Sequence, residues 1–109
     1  MGERDDRLAR NEAISRTINE ELERAQDAGG RDRHVRMVCE CGDPACERLI
    51  AVSIAEYERV RSHPEAFLLI AEHVDPAVDR VVEETDRFVV VAKADGPPRD
   101  VAEATDPRS

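Results

Sequence analysis

The stretch that organises this chain runs from residue 34 to residue 52 and reads HVRMVCECGDPACERLIAV. Two short apolar runs, one at each end of the stretch, flank a loop that holds all three cysteines of the protein. These runs predict two strands, His34–Cys39 and Arg48–Val52, that anchor the loop between them. We therefore expect this loop to act as a cross-link that stabilises a small domain.

The three thiols follow the spacing C-x-C-x4-C, at Cys39, Cys41 and Cys46. Thiolates are soft ligands that suit zinc, Cu(I) or an iron–sulfur cluster, and three thiols so close together favour a metal over a disulfide. The Gly-Asp-Pro sequence at positions 42–44 favours a tight turn that brings the third thiol back toward the first two. Two alternatives stay open, namely buried thiols without a ligand and a redox-active disulfide with a resolving thiol.

A structural zinc site is normally closed by four protein ligands, so the three thiols require one more group. The histidine candidates are His34, His63 and His73, and the carboxylates of Asp43 and Glu47 are alternatives. His34 lies at the far end of its predicted strand, and His63 lies in a His-Pro turn that ends a helix. His73 follows a short apolar element, and the ends of strands are where small metal loops meet. The predicted ligands of a structural Zn²⁺ are therefore Cys39, Cys41, Cys46 and His73.

Residues 34–95 predict a small α+β core with the element order ββαβββ, because 32 of these 62 residues are apolar. Ser53 and Glu56 have the spacing of a capping box, which predicts a helix from Ile54 to about Ser62. Short strands are expected at 67–71 and 78–84, and a second helix that starts at Pro64 is the alternative for the first of them. The run from Phe88 to Lys93 is apolar on both faces and predicts a central strand. A core of this size is marginally stable alone, and zinc can contribute on the order of 10 kcal/mol to folding.

Residues 1–33 predict an amphipathic helical arm, because helix-forming residues dominate from residue 5 to residue 28. Ile14, Ile18 and Leu22 recur at helical spacing and form one narrow apolar stripe, and Gly29 and Gly30 end the helix. This stripe can dock on the chain's own core, on a second copy or on another protein, and we expect an unknown protein partner or self-association. Residues 96–109 are small, charged and rich in proline, and they predict a disordered tail.

Charge and motifs exclude several classes of function. With 25 acidic and 16 basic residues the net charge is −9, which argues against nucleic-acid binding. No apolar run approaches the roughly 18 residues of a membrane span, and no secretion signal opens the chain, so we expect a cytoplasmic protein. Phosphate-binding loops and the motifs of serine and zinc hydrolases are absent from the sequence. These observations predict a small, acidic, non-enzymatic module with a protein-interaction or regulatory role, and a thiol-based redox or metal sensor is the alternative.

The sequence also resembles an uncharacterised family of short bacterial proteins. The shared pattern comprises an RNE and an NE in the arm (positions 10–12 and 19–20), the CEC-x4-C motif, an S-x-x-EYE-x-VR helix (53–61) and a downstream histidine. In that family a glycine commonly precedes the histidine, where this chain has Glu72. The resemblance implies that Cys39, Cys41, Cys46 and His73 belong together, and it implies no activity.

Overall fold

The computed structural model describes residues 3–26 and 30–108, and its element order confirms the predicted α+β fold with ββαβββ at its centre. The elements are α1 (Glu3–Gln26), β1 (His34–Val38), β2 (Leu49–Ser53), α2 (Ile54–Arg61), β3 (Ala66–Leu69), a single 3-10 turn (Ala71–His73), β4 (Asp79–Glu84), β5 (Val89–Lys93) and α3 (Pro97–Ala104). The predicted end of the arm helix at residues 27–29 lies outside the described residues. Within those residues, no helix is both long and apolar enough to cross a bilayer.

The strands form two antiparallel sheets, one of β1 and β2 and one in the order β3-β5-β4. The predicted central position of β5 is confirmed, and all five of its residues are buried. Its neighbour β3 is likewise buried along its whole length, whereas β4 lies at an edge and carries a register shift between Val81 and Glu83. The core therefore lies on both faces of the β3–β5 pair.

The predicted capping box opens α2. The Ser53 side chain accepts a hydrogen bond from the backbone N–H of Glu56, and the Glu56 carboxylate accepts one from the backbone N–H of Ser53. Tyr57, Val60 and Arg61 point from α2 into the core, which places a guanidinium among apolar side chains. The helix ends before Pro64, as the restriction on the residue that precedes a proline requires.

Helix α1 docks on the core through polar side chains rather than through its apolar stripe. Ile14 and Ile18 are 57% and 41% exposed, and of the three predicted stripe residues only Leu22 packs against the core. The Asn19 amide instead donates to the carbonyl of Val38 at 2.9 Å and accepts from its N–H at 2.8 Å. Such groups are needed because the outer edge of β1 offers unpaired backbone donors and acceptors, which apolar residues cannot satisfy.

The prediction of a disordered tail is wrong for residues 97–104, which form α3. Prolines break a helix in its interior but are favoured in its first turn, and here both prolines at 97 and 98 stand at the start of the helix. Ala102 is buried, and its carbonyl accepts a hydrogen bond from the buried guanidinium of Arg16 at 2.7 Å. Beyond α3, Arg108 forms ion pairs with Glu20 and Glu58. The C-terminal segment is thus held by α1 and α2.

Candidate metal centre

The three cysteines and His73 lie in one cluster, and their ligand atoms are all within 4.8 Å of one another. Nδ1 of His73 lies 3.7 Å from Sγ of Cys39 and 3.2 Å from Sγ of Cys41. A tetrahedral Zn²⁺ with Zn–S of about 2.3 Å and Zn–N of about 2.0–2.1 Å separates neighbouring ligand atoms by about 3.5–3.8 Å. The four groups can therefore hold one metal ion with little rearrangement.

The loop turns at Gly42, whose φ of +79° lies in the left-handed region that glycine adopts without strain. A Cβ atom at this position would also lie 2.9 Å from the carbonyl oxygen of Leu8 in α1, so a side chain would displace the helix. After the turn, Asp43 accepts hydrogen bonds from the backbone N–H groups of Ala45 and Cys46. These bonds return Cys46 toward the other thiols, as the Gly-Asp-Pro sequence predicts.

Cys39 and His73 are positioned by the strands on either side of the cluster. Cys39 follows β1 directly and is buried, and its Sγ accepts a hydrogen bond from the backbone N–H of Ile70 at 3.4 Å. His73 is the last residue of the 3-10 turn that follows β3, and its backbone N–H donates a hydrogen bond to the carbonyl of Ile70 at 3.0 Å. One residue, Ile70, therefore fixes both sides of the candidate site, and the expectation that strand ends meet there is confirmed.

Glu40, between the first two cysteines, is fully buried and forms a salt bridge with buried Arg61. Its Oε1 accepts from Arg61 Nη2 at 3.1 Å and from the Leu68 N–H at 3.0 Å. Its Oε2 accepts from Arg61 Nη1 at 2.8 Å and from the Asn19 amide at 2.6 Å. Four segments, α1, the loop, α2 and β3, are thus tied together at the residue that separates two candidate ligands.

Sequence reasoning missed this buried group, because a glutamate between two cysteines in a turn is ordinarily solvated. A signal was nevertheless present. Glu40, Asn19 and Arg61 all belong to the pattern that carries the family resemblance, and the structure brings these three side chains into contact.

The thiols differ in their electrostatics. Hydrogen bonds from the Cys39 thiol, the Asp43 backbone N–H, Cys46 and His73 together lower the pKa of Cys41 to about 5, against the opposing effect of burial. The hydrogen bond to Cys41 and burial both raise the pKa of Cys39. One thiolate is therefore favoured within the cluster at neutral pH, and a bound metal would displace the remaining thiol protons.

The other candidate ligands do not join the cluster. His34 pairs with Ser53 at the far end of β1, as expected from the strand's length. His63 is exposed and lies 3.8 Å from Glu65, while the exposed Asp43 and Glu47 are not among the grouped ligand atoms. Among the described residues, the structure thus selects His73 as the partner of the thiols.

A cavity of about 620 Å³ adjoins the cluster, with Cys41 and His73 in its wall. A 62-residue core with only three aromatic side chains would by itself have little volume for such a cavity. The cavity nevertheless exists because α1 and α3, which lie outside the predicted core of residues 34–95, supply two of its walls. Its wall also contains the buried ammonium of Lys93, which forms ion pairs with Glu12 and Asp79.

Comparison with known proteins gives no match: no protein-family model, no curated protein and no solved structure matches this chain. The resemblance to a family of short bacterial proteins stays a prediction. The function must therefore be argued from the metal-ligand cluster, the surface of α1 and the cavity.

Proposed function

We propose that this protein is a small, non-enzymatic, zinc-stabilised module that binds another protein in a regulatory role in the cytoplasm. The observation that carries the proposal is the convergence of three thiols and one imidazole within 4.8 Å. A set of four protein ligands is typical of structural zinc, whereas catalytic zinc keeps one position open for water. Reducing conditions in the cytoplasm would keep the thiols available as ligands.

The proposed zinc would stabilise the junction of the two sheets. The ligands come from the loop between β1 and β2 and from the turn after β3, so one ion would join segments more than thirty residues apart. The contacts across this junction include hydrogen bonds from the Leu68 backbone N–H to the Glu40 carboxylate and from the Ile70 backbone N–H to Sγ of Cys39. Zinc binding can contribute on the order of 10 kcal/mol to the folding of a small domain.

The metal content of purified protein tests the zinc assignment. We expect one zinc per chain in the wild type, and we expect loss of zinc and a lower melting temperature in Cys41→Ser and His73→Ala. His63→Ala is the matched control, because its imidazole is exposed and lies outside the cluster. Wild-type protein without stoichiometric zinc, or a His73→Ala variant that behaves like His63→Ala, would contradict the proposal.

The exposed residues of α1 support the proposed protein interaction. Ile14 and Ile18 lie one turn apart on a helix whose opposite face is held by buried polar contacts, so their exposure is a stable feature of the surface. Replacing both by glutamate should abolish partner binding or self-association without lowering the melting temperature. Leu49→Glu is the control, since Leu49 is equally exposed but lies on β2. Equal effects of both changes would contradict a role for the helix.

A thiol-based redox or metal sensor is the second candidate, and it is favoured by the partial exposure and low pKa of Cys41. In a sensor, mild peroxide would oxidise the thiols and release zinc, and amide hydrogen exchange in α1 would then increase because Asn11 donates a hydrogen bond to Gly42 in the loop. If zinc is retained under peroxide and hydrogen exchange in α1 is unchanged, the sensor role is excluded and only the structural role of zinc remains.

A further inference from the structure

The cavity beside the metal cluster has a buried ion cluster in its wall, consisting of Lys93, Glu12 and Asp79. Nζ of Lys93 forms ion pairs with the Glu12 carboxylate and, at 2.6 Å, with Oδ1 of Asp79. The side chains of Lys93 and Asp79 are only 3% and 2% exposed. The three groups come from α1, β4 and β5, so three elements bring charges to one spot.

Stability alone does not account for this ion cluster. Buried ion pairs are rarely more stabilising than apolar side chains of similar volume, because desolvation offsets the attraction between the charges. Here two carboxylates face one ammonium, and burial raises the pKa of Glu12 to about 7, so the cluster carries an excess of negative charge whenever Glu12 is ionised. Polar groups that converge on the wall of a cavity are the usual mark of a ligand site.

The remainder of the cavity combines apolar walls with further acidic groups. Apolar contact surface comes from α1 (Leu8), the residue before β4 (Val78) and α3 (Val101). The carboxylates of Asp43 and Asp75 also line the cavity, and both residues are exposed. The cavity therefore presents four carboxylates and one ammonium, and its volume of about 620 Å³ falls within the roughly 300–1,000 Å³ of small-molecule sites.

We propose that this cavity binds a small organic cation, namely an amine with an apolar body. The ammonium group lies beside Glu12, whose side chain is 13% exposed, and it supplies a second positive charge to the cluster when Glu12 is ionised. The apolar body packs against the side chains of α1 and α3. This ligand site goes beyond the proposed zinc and protein-binding function, and none of the residues that bind the cation is a proposed zinc ligand.

Three probes of equal length test the charge preference on the full-length, zinc-loaded protein: hexylammonium, hexanol and hexanoate. Binding is followed by the NMR shifts of methyl groups. We expect hexylammonium to bind about tenfold tighter than hexanol, because one ion pair near a protein surface contributes more than 1 kcal/mol, and we expect hexanoate not to bind. The shifts should be largest at Leu8, Val78 and Val101. Equal binding of hexanoate, or shifts spread over the whole surface, would overturn the proposal.

Two pairs of variants test the location. Val101→Trp fills the cavity and should abolish hexylammonium binding, whereas Ala104→Trp places the same side chain on the exposed part of α3 and should leave binding unchanged. Asp75→Asn removes a cavity carboxylate and should weaken binding severalfold, and Asp86→Asn, which removes an equally exposed carboxylate away from the cavity, should have no effect. If both members of either pair behave alike, the cation does not bind in this cavity. Zinc content measured on the same samples separates failure of this proposal from failure of the zinc assignment.

Discussion

Two ion clusters that are buried in the described part of the chain differ in composition and in surroundings. The first pairs one carboxylate, Glu40, with one guanidinium, Arg61, and both side chains are almost completely buried in the core. The second pairs one ammonium, Lys93, with the carboxylates of Glu12 and Asp79 in the wall of a cavity. One cluster pairs its charges one to one and is enclosed by protein, while the other holds two carboxylates for one ammonium and borders open space.

This difference separates a structural role from a binding role. Both oxygens of Glu40 accept two hydrogen bonds each, so no further group is needed there. A buried charge is tolerated only when it is paired and hydrogen-bonded, and the Glu40 pair meets that condition within the protein. The Lys93 cluster is balanced only while Glu12 is protonated, and a bound cation can balance it when Glu12 is ionised. Four substitutions test this comparison, beginning with the largest expected effect.

Glu40→Gln should have the largest effect, a loss of about 3–5 kcal/mol in the free energy of unfolding. The change leaves the guanidinium of Arg61 buried without a counter-charge and places an NH₂ group against hydrogen-bond donors. Urea denaturation of the zinc-loaded protein measures the loss. The double variant Glu40→Met, Arg61→Met removes both charges and should be more stable than Glu40→Gln. If the double variant lost as much free energy of unfolding as Glu40→Met and Arg61→Met lose together as single variants, the two side chains would not be coupled.

Lys93→Met should have a smaller effect, a loss of about 1–3 kcal/mol. The two carboxylates then lack a cation, but Glu12 is 13% exposed and has a raised pKa, so it can be hydrated or take up a proton, whereas the Glu40 side chain is fully enclosed. The same urea experiment measures the loss, and hexylammonium should restore part of it because the cation takes the place of Nζ. A loss as large as that of Glu40→Gln would mean that the two clusters are equally enclosed.

Much of the fold is predictable from the sequence because it depends on local patterns. The capping box at Ser53 and Glu56 fixes the start of α2 from residues three apart, and the apolar run at 88–93 identifies the central strand. The grouping of His73 with the thiols is also confirmed, since it follows from where short strands end. The identity of the bound metal stays a prediction.

The remaining features depend on contacts between distant residues. Apolar periodicity identifies the stripe of Ile14, Ile18 and Leu22 but leaves open what it contacts; α1 docks on the edge of β1 instead through hydrogen bonds that Asn19 supplies. Helix α3 is held by Arg16, which donates to a carbonyl 86 residues away. Neither requirement leaves a local signal in the sequence.

Glu56→Gln extends the comparison to the partly exposed ion pair between Glu56 and Arg87. It should lower the free energy of unfolding by about 1 kcal/mol at pH 7, because solvent screens this pair. Glutamine at this position retains the capping box, so the substitution isolates the charge. Hydrogen bonds from Arg87 and the Ser53 N–H, opposed by desolvation, lower the pKa of Glu56 from 4.5 to about 2. A lowered folded-state pKa stabilises the protein above pH 4.5, and this contribution is lost as the pH falls toward 2. The difference between wild type and variant should therefore shrink between pH 5 and about 2, and a constant difference would contradict the assignment.

Arg59→Met should have the smallest effect, below about 0.5 kcal/mol, because Arg59 and Glu83 are exposed and their ion pair is screened. This pair is nevertheless the shorter one: its N–O distance is 2.5 Å, against 2.8 Å in the pair of Glu40 with Arg61. If the N–O distance determined how much an ion pair stabilises the protein, Arg59→Met would lower the free energy of unfolding more than Glu40→Gln. Added salt would then reduce the contributions of both pairs to a similar extent. If burial determines the stabilisation, the order is the reverse, and 1 M salt removes only the small contribution of Arg59. Urea denaturation of both variants at low and high salt distinguishes these outcomes.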